Sequence, residues 1–213
     1  SIANKEGAEL SKVYMVGNVL IDNIRFLQQR MQRPAVMDQE HLEEGKYLLL
    51  TLNRKAIVNN IEEMKKLIST IDGVARKAGI KVLAPLRGKA LGFVLAFKAY
   101  QDVADHQSGI MVVQPQGYLD FSYLAAHAMG VITDSGNVAE EATFNGVPCI
   151  TLNSYTEHLE TVTVGTNELV AEDPEKLQLA MEKIVKGEWK KAGIPDRWDG
   201  RSAERIVQII CGE

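Results

Sequence analysis

Tyr47-Leu48-Leu49-Leu50-Thr51-Leu52 is apolar at five of its six positions. A strand with one face in water alternates apolar and polar residues, whereas a strand covered on both faces reads as a continuous apolar run. The segment that follows changes period. Val58, Ile61, Met64, Leu67, Ile68, Ile71 and Ala75 recur every three or four residues up to Gly79, the spacing of an amphipathic helix, with a glycine where a left-handed C-terminal cap is needed. Residues 80–83 then return to a short β-branched run. A buried strand, a long helix and a second buried strand make one crossover unit of a parallel sheet.

Reading outward, the same alternation recurs. Toward the C-terminus the sequence predicts a weaker helix over 89–103, strands over 110–113, 131–133 and 149–151, and helices over 119–128 and from Gly136 through Phe144. A short strand over 168–170 precedes helices over 174–186 and 201–210. Toward the N-terminus, Val13-Tyr14-Met15-Val16 reads as a strand running into Gly17-Asn18 and a helix carrying Leu20, Ile21, Ile24 and Leu27, with 31–46 as a connection. Alternating strands and helices imply an α/β fold with a doubly wound, mainly parallel sheet and helices on both faces.

Composition narrows the function. The 213 residues hold 24 Lys and Arg against 28 Asp and Glu, a net charge of −4, which leaves no basic footprint for nucleic acid or an anionic membrane surface. Cys149 and Cys211 are far apart and neither has a Cys or His at metal-ligand spacing, so no disulfide scaffold or zinc site is expected. His41, His106, His127 and His158 show no ligand spacing either, and His127 reads as a packing residue. These features fit a cytoplasmic protein without metal or cofactor. The first residue is Ser1 rather than Met, which reads as a processed end or an excised piece.

In doubly wound sheets ligands bind beyond the carboxyl ends of the strands, so four segments matter: Gly17-Asn18, Asn53-Arg54, 84–87 and Asp134-Ser135-Gly136. In the last, a strand delivers a small polar turn to a helix N-terminus, where free backbone N–H groups favour a phosphate. The alternative is that Ser135 or Asp134 simply caps the helix. Glu141 follows Asn137 by one turn and shares its face, whereas Glu140 is rotated by about 100° toward solvent or a neighbouring loop. Glu141 would suit the two hydroxyls of a ribose. Phe121, in Gly117-Tyr118-Leu119-Asp120-Phe121, could wall a base, although such an aromatic is more often core. Arg54 and Lys55 could meet a diphosphate or be solvated cations. His158 lies in a polar, turn-rich stretch, 153–165. Ser135 lacks the Gly-x-Ser-x-Gly elbow of a serine hydrolase.

Taken in order, Val16-Gly17-Asn18-Val19-Leu20-Ile21-Asp22, Leu50-Thr51-Leu52-Asn53-Arg54, Gly117 to Phe121, Thr133-Asp134-Ser135-Gly136 with Glu140-Glu141-Ala142, Gly146-Val147-Pro148, Thr156-Glu157-His158-Leu159-Glu160 with Gly165-Thr166-Asn167, and Asp199-Gly200-Arg201 resemble the C-terminal domain of the non-hydrolysing UDP-N-acetylglucosamine 2-epimerases. The resemblance spans essentially the whole chain. It implies the Rossmann-like C-terminal half of a two-domain glycosyltransferase-B fold, residues 13–213 forming the UDP-binding domain and 1–12 the tail of a missing N-terminal domain.

The resemblance further implies that UDP or a UDP-sugar is the ligand. Phe121 would pack by the uracil, Glu141 would hold the ribose, and Ser135 and Gly136 would bind the diphosphate. His158 would contact the nucleotide or a closing loop, with Gly17, Asn53 and Arg54 completing the site. The family interconverts UDP-GlcNAc and UDP-ManNAc by eliminating and re-adding UDP, through carboxylates on the N-terminal domain and as a homodimer, so no catalytic residue is expected here and the isolated chain should be inactive. Three departures are visible. Asn53 stands where the family's Thr-x-His-Arg has its His, Ala84-Pro85-Leu86 replaces a His-Pro-Arg unless Arg87 substitutes by a shift in register, and Asn137 replaces a Gly in a place where a left-handed residue is tolerated. These leave a catalytically decayed UDP-sugar binding or regulatory module, or a glycosyltransferase of the same architecture, as alternatives.

Overall fold

The structure, a computed structural model, describes residues 5, 7, 9–103 and 107–212. His106 and parts of the expected interdomain segment 1–12 lie outside the described residues. The regular elements are α1 (Val19–Gln28), α2 (Ala35–Gln39), β1 (Tyr47–Leu50), α3 (Lys55–Val58), α4 (Ile61–Ala78), β2 (Lys81–Pro85), α5 (Gly88–Val103), β3 (Ile110–Val113), α6 (Tyr118–Ala126), β4 (Gly130–Thr133), α7 (Gly136–Asn145), β5 (Cys149–Thr151), α8 (Leu159–Thr163), β6 (Asn167–Leu169), α9 (Pro174–Lys186) and α10 (Ser202–Cys211). They fall into two compact units. One is Arg30–Pro195; the other joins Ser1–Gln29 to Asp196–Glu213.

The larger unit holds the whole sheet, six parallel strands in the order β3-β2-β1-β4-β5-β6. The two-residue period of β1 sorts its side chains between two cores. Leu48 and Leu50 join Leu67, Ile68 and Ile71 of α4 and Leu177 and Met181 of α9. Tyr47 and Leu49 point the other way, with Met37 of α2, Leu124 and Ala125 of α6 and Ala139 and Ala142 of α7. All four are completely buried, which explains why this strand shows no polar alternation. Tyr47 places its hydroxyl on the Leu124 carbonyl at 2.6 Å, so its one polar atom is satisfied inside the core.

Helix α4 is bounded as its sequence requires. Asn60 caps the start through its side chain, which accepts from Glu63 N, and Gly79 closes the end at φ 67°, a conformation that costs glycine no Cβ clash. Helix α9 is capped by Asp173 and ends at Gly187 in the same way. The expected connection over 31–46 contains the short helix α2.

The smaller unit corrects one expectation: residues 13–16 form no strand. A β-branched run becomes a strand only when a ladder partner is available, and the sheet lies in the larger unit. Here Tyr14 and Met15 are exposed, and the Met15 and Val16 carbonyls accept from the guanidinium groups of Arg197 and Arg205. Helices α1 and α10 are tied end to side. Both carboxylate oxygens of Asp22, on α1, accept the first amides of α10, Ser202 N at 3.0 Å and Ala203 N at 2.7 Å. Gly17, at φ 105°, lies against this junction, and a Cβ there would come within 2.3 Å of the Arg197 carbonyl oxygen. Arg205 meanwhile clamps Asp199, holding its carboxyl down at about 2.

Candidate functional site

The chain winds from β1 to β2 and β3 on one side, then returns to β4 beside β1 and continues outward through β5 and β6. The order reverses between β1 and β4, and the carboxyl ends of the strands at such a reversal are where doubly wound sheets form a ligand crevice. Thr133 is the last residue of β4 and Thr51 follows directly after β1. The hydroxyls of Thr51 and Thr133 lie 2.7 Å apart, and Thr133 Oγ1 also accepts from Ser135 N at 3.0 Å. The turn into α7 is therefore fixed from below.

Asp134 sets the opposite rim. Its Oδ2 accepts from Asn53 N at 2.7 Å and Arg54 N at 2.6 Å, tying the loop after β1 to the end of β4. Asn153, after β5, donates from Nδ2 to the Asp134 carbonyl at 3.3 Å and accepts from Arg54 Nη1 at 2.7 Å. Arg54 also lies 5.8 Å from the centroid of the Tyr155 ring, within cation–π range. Three strand ends are joined in one network.

The helix-cap alternative is thereby corrected. Ser135 occupies the N-cap of α7 but makes no side-chain cap, and the Asp134 carboxylate is spent on the β1 loop. By helix geometry the first amides of α7, Gly136, Asn137 and Val138, have no intrahelical acceptor. Free amides at a helix start favour an anion. Asn137 is helical rather than left-handed, so its side chain needs no conformational allowance.

A cavity of about 390 Å³ opens in front of this helix end. It is lined by Thr51 and Asn53 after β1, Pro85 at the end of β2 and Arg87 just beyond it, Pro115 and Gln116 after β3, Tyr118 and Phe121 on α6, and Ser135 and Val138 at the start of α7. Three expected site residues, Asn53, Ser135 and Phe121, thus share one cavity. Leu86 is buried in the core while Arg87 faces the cavity, so a cation is supplied one residue later than the aligned segment places it. Pro115, Gln116 and Tyr118 also belong to this wall.

Glu141 is 4% exposed and accepts from Ser122 Oγ at 3.2 Å. It lies three residues beyond Val138 on α7, as Ser122 follows Phe121 on α6, so it backs the aromatic end of the cavity. Burial pushes its carboxyl above the usual range, opposed by the Ser122 hydrogen bond and reinforced by repulsion from Glu140. Glu140 is 3% exposed, so of its two expected directions it takes the neighbouring loop: Oε1 lies 3.1 Å from His158 Nδ1.

Gly17, Arg54, Gly136, Glu141 and His158 are not among the residues that line this cavity. Arg54 is not among the cavity-lining side chains because Asn153 and Tyr155 hold it. Gly17 belongs to the smaller unit, where its missing side chain makes room for the Arg197 carbonyl. His127 is the packing residue expected, stacked on Tyr123 at 4.0 Å between ring centroids. Among the described residues no three His, Cys, Asp or Glu side chains converge as a metal-ligand set, and no helix is long and apolar enough to cross a membrane. The Thr51–Thr133 pair was not read from the sequence, although a threonine lies at the carboxyl end of each strand. The roles of Asp134 and Ser122 had no signal there, because both depend on contacts between segments far apart in the chain.

A profile of the family described as UDP-N-acetylglucosamine 2-epimerase matches residues 4–211. The UDP-N-acetylglucosamine 2-epimerase of Methanococcus maripaludis is 31% identical over 215 residues, covering 98% of this chain and 57% of that protein. Its counterpart from Methanocaldococcus jannaschii is 32% identical over 212 residues, covering 97% and 56% respectively. The crystal structure of the M. jannaschii enzyme in complex with UDP-GlcNAc and UDP superposes with a TM-score of 0.79, covering 99% of this chain and 57% of that one. The chain spans a little over half the length of the relatives it matches. With the profile covering nearly every residue and the switch-point crevice in place, the chain belongs to the UDP-N-acetylglucosamine 2-epimerase family.

Proposed function

We propose that the crevice between β1 and β4 binds the UDP moiety of a UDP-sugar, and that the chain is the UDP-binding C-terminal part of an enzyme interconverting UDP-GlcNAc and UDP-ManNAc. The observation that carries this reading is the uncapped start of α7 opening on a cavity lined by both Phe121 and Arg87. Phe121 and the Pro115–Tyr118 loop offer a flat apolar surface for the uracil. Glu141, released from Ser122, accepts hydrogen bonds from the ribose hydroxyls. The diphosphate rests on the first amides of α7 and Ser135, with Arg87 balancing its charge.

In an elimination and re-addition of UDP, negative charge develops on the leaving diphosphate, and donors already aimed at it lower that barrier. The residues present hold and stabilise the leaving group. Proton transfer at the sugar falls to a further domain, so this chain alone should bind without turnover. Calorimetry with UDP, UDP-GlcNAc and ADP tests the reading: both uridine nucleotides should bind and ADP should bind at least ten-fold more weakly. Equal binding of ADP, or robust epimerisation of UDP-GlcNAc by this chain alone, would overturn it.

One observation favours a second reading, a UDP-sugar binding or regulatory module without catalysis. Asn53 lines the cavity, and an amide can donate to a phosphate but cannot carry a proton or a charge. Asn53→His discriminates. A gain in UDP affinity and in activity of the full-length protein supports lost catalysis, and full-length protein that is already active excludes it.

A further inference from the structure

His158 bridges a buried carboxylate and the helix end assigned above to phosphate. Its Nδ1 lies 3.1 Å from Oε1 of Glu140, whose side chain is 5% exposed against 33% for the histidine. The opposite edge of the ring lies over the start of α7, where a Cβ built on Gly136 would meet Cδ2 at 3.3 Å and Nε2 at 3.6 Å. The backbone of His158 is anchored independently. Its N–H donates to Thr156 Oγ1 at 3.1 Å, and its carbonyl accepts from Thr161 N at 3.0 Å and Thr161 Oγ1 at 2.7 Å. The main chain that carries the ring is therefore fixed beside both neighbours.

A carboxylate on Nδ1 fixes which nitrogen keeps its hydrogen. With the hydrogen on Nδ1, a neutral ring turns a lone pair on Nε2 toward the phosphate position and repels an oxygen there. The imidazolium instead offers an N–H, a charge-assisted donor beside the first amides of α7. The charged group shown against the ring is Glu140 on α7; Glu141, on the same helix, is bonded to Ser122, and Glu157 and Glu160 flank His158 in sequence. An arginine in this position would bring a permanent charge. A histidine makes the charge conditional.

We propose that Glu140 is a positioning residue acting through His158, and that phosphate recognition at the start of α7 is proton-linked, with His158 taking up a proton as the diphosphate docks. This rests on the UDP-binding reading above.

The test is calorimetry of UDP-GlcNAc binding at about pH 7.5, in buffers of low and high ionisation enthalpy, so that protons taken up are read from the difference. UDP-GlcNAc is the probe because its diphosphate, esterified at both ends, does not itself titrate near neutrality. The wild-type chain should take up a measurable fraction of a proton, and His158→Arg should bind with none. Glu140→Gln should weaken binding roughly ten-fold, the scale of one charge-assisted hydrogen bond, but less than about two-fold when placed in a His158→Ala background.

Wild-type binding without proton uptake would overturn the inference, as would an equal cost of Glu140→Gln in both backgrounds. Either result leaves the UDP-binding reading standing. Absence of UDP-GlcNAc binding in every variant would overturn both.

Discussion

The carboxylate of Asp134 holds the backbone of Arg54: one oxygen, Oδ2, accepts the Arg54 amide at 2.6 Å and the Asn53 amide at 2.7 Å. A buried residue at the end of one strand thereby shapes the loop after its neighbour. Hydrogen bonds to a charged group contribute ~1.5–3 kcal/mol, and removing the acceptor also strands two donors. Asp134→Ala should destabilise the chain by ~2–3 kcal/mol in urea unfolding. It should also weaken UDP binding, because Asn53 loses its place in the cavity wall. Unchanged stability would show that the loop holds its shape without the carboxylate.

Glu141 carries the opposite sign. Its folded-state titration is raised by burial, so the folded chain keeps this proton more tightly than the unfolded chain does. Stability from this group is complete below the unfolded value, ~4.3, and declines as pH rises through the raised folded value. Glu141→Gln should flatten that decline and leave the melting temperature near pH 7 equal or higher, while UDP affinity falls ~10-fold through loss of a charged acceptor for the ribose. Thermal melts across the acid range and calorimetry check the two halves. A variant that is both less stable and unchanged in affinity would assign Glu141 to packing.

Phe121 tests the base end of the cavity. Stacking of a base on an aromatic ring contributes ~1–3 kcal/mol, so Phe121→Ala should weaken UDP about ten-fold or more while leaving inorganic pyrophosphate binding within two-fold. Competition titrations with the two ligands separate these outcomes. Equal losses for both would place the nucleotide elsewhere.

The two cysteines should differ sharply. Cys149 is completely buried in β5 and its thiol is pushed up to about 12 by burial, whereas Cys211 is exposed. The thiolate is the reactive species, so titration with a disulfide reagent should count one thiol in the native chain and two in denaturant. Two fast thiols in native buffer would mean that the β4–β5–β6 side of the sheet opens readily.

How much of this was legible in the sequence depends on the range of the interactions involved. The run from Tyr47 to Leu52 and the stripe from Val58 to Ala75 carry their own periods, so the parallel sheet could be read locally. The run from Val13 to Val16 carries the same local signal without a partner strand, and local propensity yields to tertiary context there. Ser135 and Gly136 were candidates because helix starts and strand ends are visible from spacing, and Phe121 through the family resemblance; Ser135 and Phe121 line the same cavity. The true partner of Asp134 lies some eighty residues away in sequence, and no spacing rule reaches that far. Glu140 shows a smaller failure of the same kind: helical rotation gave its direction relative to Glu141, but not the histidine waiting there.

The network through Asn153 has a kinetic side. Its amide touches both the Asp134 carbonyl and the Arg54 guanidinium, so hydrogen bonds within the protein itself join the loops after β1, β4 and β5. Association then requires little loop ordering, which is among the costs that weaken binding. Encounter should be fast, with differences between variants residing in how long the nucleotide stays. Single substitutions in the three loops should also fail to add, since breaking any link loosens the same assembly.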